Sequence, residues 1–360
     1  MNLIAALLDP ASVTTLGERE WNDLLILGRR QGLLARLGRQ VAGHGLADQI
    51  PPKAREIIGA ASIAVESSQT AIRFEINRIL RALGTAGTPL ILLKGAAYVM
   101  AGLPPAHGRL VGDLDLMVAR DRIDAVERSL VEHGWVPAET TDYDQRYYRE
   151  WMHEIPPLQH PLRDTPVDIH HTIAPLTARY RPDAKALVAA ARPLADARLR
   201  VLAPADMILH SAVHLFNDEV GKPLRDLFDL HDLLGHFGPQ PGFWDTLLAR
   251  ARLHGLARPL HYALRHTRSL LGTPIPMFVE QGADVPGPLT EALMDTLFGA
   301  HFLGCGVKPR PPAVSAARWA LYARTHWLRM PPHLLARHLA IKSIHRMRDA
   351  LRRESADGAA

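Results

Sequence analysis

The apolar positions of this chain change period along its length, and the changes predict its elements. From residue 1 to 66 they recur as on helices, with Trp21, Leu24, Leu25, Leu27, Leu33, Leu34 and Leu37 as the clearest set and a break at Pro51-Pro52. A further helix is predicted from Ser67 to Leu83, carrying Ile72, Phe74, Ile76, Ile79 and Leu80, and the turn from Gly84 to Pro89 ends it. The short run Leu90-Ile91-Leu92-Leu93, bounded by Pro89 and Gly95, reads as a buried strand. A short helix from Gly95 to Gly102 and a loop from Pro104 to Gly108 follow. Leu114 and Leu116 then alternate with Asp113 and Asp115 in a second strand that runs into Met117 and Val118. Asp121 to His133 is predicted helical, closed by Gly134; a short Trp135-Val136 strand comes next, and Pro166 to Ile173 alternates again. From Pro204 onward the helical period dominates, through Met207, Ile208, Val213 and Leu215, then Leu224, Leu227, Phe228, Leu230, Leu233 and Leu234.

This order predicts an α+β chain with a small mixed sheet, flanked by N-terminal helices and a C-terminal helical domain. The expected divisions are a helical region at 1–66, a sheet-bearing core at 67–175, a linker at 176–203, a helical domain at 204–354 and a disordered tail at 355–360. At 360 residues and 47% hydrophobic content the chain exceeds one typical domain and can bury a sizeable core.

Composition narrows the setting. One cysteine, Cys305, excludes an internal disulfide framework and fits a reducing compartment. The start MNLIAALLDPASVTT lacks a basic leader and a small-residue cleavage site, and no stretch is apolar enough to span a bilayer, so a cytoplasmic location is expected. Lys and Arg total 42 against 37 Asp and Glu, a net charge of +5 that is mild for this length and compatible with an anionic substrate.

The chemistry concentrates on the second strand. Asp113 and Asp115 stand two positions apart and so project from one face of a strand, while Leu114 and Leu116 face the core. Two converging carboxylates repel and call for a cation. Hard oxygen ligands suit Mg²⁺, with Mn²⁺ as the alternative ion, bound together with substrate phosphates. Asp168 repeats the arrangement on the later strand, with Val167 and Ile169 inward and His170 sharing its outward face, as a candidate to orient a metal-binding Asp or to contact the nucleotide. Lys94, Gly95 and Ala96, where the first strand meets a helix start, offer backbone N–H groups to a phosphate, and Arg109 offers a forked guanidinium contact or a hold on its loop.

The segments LLKGAAY, RLVGDLDLMV and VDIHHTI together resemble the uncharacterised nucleotidyltransferase family of the polymerase-beta-like superfamily. The resemblance covers about residues 90–175, and MILHSAVH with RDLFDLHDLL is similar to a helical segment that follows the core in that family. It implies a mixed sheet with helices on one side, metal-binding aspartates at Asp113 and Asp115, a third acidic residue at Asp168, Mg²⁺ and a nucleoside triphosphate such as ATP. The chain departs from the superfamily pattern where Gly95 is followed by Ala96 in place of Gly or Ser, which removes a hydroxyl contact to phosphate and leaves Lys94 as its substitute. The acceptor is unidentified, a small molecule before a protein or peptide, with nucleic acid not favoured.

Two other readings compete. A non-catalytic nucleotide-binding module would share the fold, although all three carboxylates are present. His210 and His214 at helical spacing, followed by His231-Asp232, resemble part of a metal phosphohydrolase, but the distal aspartate is missing and the helix is otherwise apolar, which favours core histidines. HEIPPLQH is no zincin motif, since two prolines forbid the single helix that motif needs. The basic amphipathic stretch with Arg337, Lys342, Arg346, Arg348, Arg352 and Arg353 reads first as a solvated helix face.

Overall fold

The structure is a computed structural model and describes residues 3–84, 88–138, 141–217, 221–304 and 311–337. The tail at 355–360 and nearly all of the basic C-terminal stretch lie outside the described residues.

Four helices open the chain: α1 (Leu3–Leu8), α2 (Glu18–Gln31), α3 (Leu34–Gly43) and α4 (Pro52–Leu83). The last corrects the sequence reading, because one 32-residue helix crosses the expected boundary at residue 66. Pro52 occupies its first turn, where a missing N–H costs nothing, and its alanine-rich first half supplies helix propensity without a strong apolar stripe. The sheet region then runs β1 (Leu90–Leu92), α5 (Lys94–Met100), β2 (Leu114–Met117), α6 (Ile123–Glu132), β3 (Val136–Pro137), α7 (Asp142–Trp151), β4 (Leu158–Gln159), β5 (Val167–His170), α8 (Ala184–Ala190), β6 (Arg192–Pro193) and β7 (Leu199–Val201).

These strands form one mixed sheet in the order β3-β4-β5-β2-β1-β7-β6. β2 lies parallel to β5 and antiparallel to β1, and β1 lies parallel to β7. The expectation of a linker at 176–203 is therefore overturned: α8 and two strands occupy it, and β7 pairs along all of β1. A strand of three residues has too short a pattern to announce itself, and its partner is more than a hundred residues upstream. Leu114, Leu116, Val167 and Ile169 are completely buried, so the apolar faces of β2 and β5 fix which way their intervening polar residues point.

After the sheet come α9 (Pro204–Asn217), α10 (Pro223–Phe237), α11 (Phe243–Leu253), α12 (Ala257–Leu271), α13 (Met277–Gly282), α14 (Pro288–Leu303) and α15 (Pro312–Arg329). α9 is the hub of this group and packs against α10, α11, α12 and α15. No helix among the described residues is long and apolar enough to cross a membrane.

Candidate active site

β2 and β5 are in register with Asp115 opposite Asp168 and Met117 opposite His170. That register puts Asp115 and Asp168 side by side across neighbouring strands. Asp113 sits just before β2, and the carboxylate oxygens of Asp113, Asp115 and Asp168 lie within 4.8 Å of one another. The three sequence-predicted carboxylates thus converge. Asp113 is exposed, Asp168 half-buried and Asp115 buried.

Their protonation differs because their neighbours differ. Burial would raise the Asp115 carboxyl, but Lys94 Nζ at 3.1 Å and His170 Nε2 at 3.0 Å from its Oδ1 hold it well below its usual range, as an anion. At Asp168, burial together with the charges of Asp115 and Glu154 outweighs the lowering effect of His170 and pushes the pKa up to about 7. Burial works against a proton on His170, yet the hydrogen bond to Asp115 and the charge of Glu154 outweigh it and raise its pKa. An all-oxygen donor set with mutually repelling charge fits a hard divalent cation such as Mg²⁺. Mg²⁺ would be held by Asp113, Asp115 and Asp168.

Lys94 is also the one described non-glycine residue with positive φ, at 43°. The chain turns there from β1 into α5, and the left-handed backbone aims the side chain at Asp115; such strain at a residue with a long side chain marks a position set by function or by strong packing. Gly95 next to it has a packing reason: a Cβ there would stand 2.9 Å from Val111 Cγ1.

Of the two roles open to Arg109, the structure shows the hold on its loop. Its guanidinium is buried and donates through Nη1 to Asp229 Oδ2 on α10, with Asp226 Oδ1 at 3.8 Å, so it joins the loop before β2 to the C-terminal helices. The phosphohydrolase set does not converge either. His231 Nδ1 meets Thr273 Oγ1 at 2.9 Å, and Asp232 takes Arg36 in a two-point ion pair. His214 stands 3.8 Å from Asp226. His210 is buried, and burial, Lys94, His214 and His170 hold its pKa well below the ordinary value. His153 and Glu154 open the HEIPPLQH segment, set aside above because its prolines forbid a zincin helix, and an antiparallel bridge between Glu154 and His170 brings them to the edge of the site. Their pairing with β5, far along the chain, is what places them there.

The model of the uncharacterised nucleotidyltransferase family matches residues 17–272, well over half of the sequence. The chain belongs to this family. The nucleotidyltransferase is accordingly a transferase with a nucleotide substrate, and its mixed α+β fold is that of the family. Among solved structures, that of the antibiotic-resistance factor ANT(2'')-Ia matches at 15% identity, covering 56% of this chain and 98% of that chain with a TM-score of 0.32. No curated protein matches the chain.

Proposed function

We propose that this nucleotidyltransferase moves a nucleoside monophosphate from a triphosphate, ATP among the candidates, to a hydroxyl or amino group of a small molecule. The observation that carries this reading is the meeting of Asp113, Asp115 and Asp168 across two paired strands, with their carboxylate oxygens within 4.8 Å of one another. Mg²⁺ or Mn²⁺ bound to these carboxylates would neutralise triphosphate charge and acidify the acceptor hydroxyl.

The chain's own groups divide the remaining work. Asp168, the third carboxylate of the cluster, would take the proton of the acceptor hydroxyl, directly or through the bound ion, as that oxygen attacks the α-phosphorus. The bond from the α-phosphorus to the bridging oxygen breaks and pyrophosphate leaves. Lys94 and His170 keep Asp115 anionic and fixed in place through both their contacts. The backbone at Lys94, Gly95 and Ala96 is the proposed seat of the phosphates. A protein or peptide acceptor is the second choice, RNA the third, and the cytoplasm the proposed location.

Parallel incubations with α-labelled and γ-labelled triphosphates, Mg²⁺ and cell extract separate this chemistry from its rivals. Nucleotidyl transfer places the α label alone on an acceptor, whose isolation identifies it. The γ label on an acceptor would instead indicate phosphoryl transfer, and tight triphosphate binding with no label moved would favour a binding module.

A further inference from the structure

His153 and Glu154 lie between α7 and β4 and have no part in the reaction described above. The bridge from Glu154 to His170 and the hydrogen bond from His171 N to His153 O, at 2.8 Å, lay their loop along β5. The rings of His153 and His170 face each other at 5.1 Å between centroids. Donor atoms of His153, Glu154 and His170 all lie within 4.8 Å of one another. His153 and His170 are nearly or fully buried, and the Glu154 side chain is 22% exposed, which leaves a way in from solvent.

The spacing inside this group is informative. His170 Nδ1 stands 3.3 Å from Glu154 Oε2, in an orientation that makes no hydrogen bond. A tetrahedral ion with ligand bonds of about 2.0–2.2 Å separates neighbouring ligand atoms by about 3.3–3.6 Å. Two donors of one ion would stand as these two do. His170 is also oriented for the task, because Asp115 can accept the N–H of Nε2, leaving the lone pair of Nδ1 for a metal in the carboxylate–histidine–metal pattern. Two imidazoles and one carboxylate form a ligand set that suits Zn²⁺ and its neighbours rather than Mg²⁺.

We infer that His153, Glu154 and His170 bind a Zn²⁺-class ion, beside the three-carboxylate cluster and joined to it through Asp115. Binding fixes the His170 tautomer and so the position of the Asp115 carboxylate, which accepts from its Nε2 at 3.0 Å. The effect on transfer rests on the function proposed above; metal uptake does not.

Co²⁺ titration of chelator-treated full-length protein, read by visible absorption and by dialysis stoichiometry with Zn²⁺ in competition, tests the site without reference to activity. One tight equivalent with the absorption of a low-symmetry nitrogen and oxygen site is expected. His153→Ala and Glu154→Gln each weaken it at least tenfold, while Asp113→Asn with Asp168→Asn leaves it in place. His153→Cys keeps the ion and adds a thiolate-to-cobalt charge-transfer band, which a folding defect does not produce. Absence of a tight equivalent in the wild type overturns the inference, as does an equivalent that survives both single changes and vanishes in the double aspartate variant.

Discussion

Single residues carry two kinds of strain here. Lys94 adopts a left-handed backbone that disfavours any side chain with a Cβ, and glycine relieves that cost. Lys94→Gly should therefore be more stable than Lys94→Ala by about 1 kcal/mol in denaturant unfolding, although both lose the contact to Asp115; equal stability would remove the strain argument. His266 is buried among Phe216, Phe298 and Phe302, where burial pushes its pKa down from 6.5 to about 4. In this window the unfolded chain binds more protons than the folded one, so the stability contributed by the neutral ring is intact above pH 6.5 and lost as pH falls toward 4. Between pH 8 and 5 this residue alone should cost about 2 kcal/mol, and His266→Phe should flatten the dependence measured by denaturant titration. An unchanged slope in the variant would show that other groups govern it.

At the scale of elements, Arg109 ties the loop before β2 to α10. Removing one member of a buried pair leaves a buried charge without compensation, so Arg109→Met should destabilise by about 3–5 kcal/mol. The double change Arg109→Met with Asp229→Leu should recover much of that, and strict additivity in the cycle would contradict a coupled pair. The same element shows what the sequence could convey. β1, β2 and β5 were legible because apolar runs and alternating carboxylates are local patterns, and the three aspartates followed from them. For Arg109 the choice between a phosphate contact and a hold on its loop stayed open because its partner lies 120 residues away on α10, and nothing near it in sequence points there. β7 and the unbroken α4 were missed for opposite reasons: one is too short for a period, and the other carries alanines where a stripe would be read.

Across the whole molecule, buried and half-buried polar contacts join regions that sequence patterning separates. Gln31 on α2 accepts from Leu224 N, Arg36 on α3 pairs with Asp232 on α10, and Tyr98 on α5 shares a hydrogen bond with Ser211 on α9. The N-terminal helices, the sheet and the helices of α9 and α10 should consequently unfold together. Calorimetry should give one main transition covering them, and a separate low-temperature transition removed by deleting residues 1–50 would contradict this. The central claim is that Asp113, Asp115 and Asp168 perform the transfer. Its most direct test is the rate of Mg²⁺-dependent α-label transfer and pyrophosphate release by the wild type, Asp113→Asn, Asp168→Asn and His231→Ala. The account predicts losses of about 10²-fold or more in the two aspartate variants, with His231→Ala close to wild type. Transfer that persists in both aspartate variants, or that fails in His231→Ala alone, would contradict it.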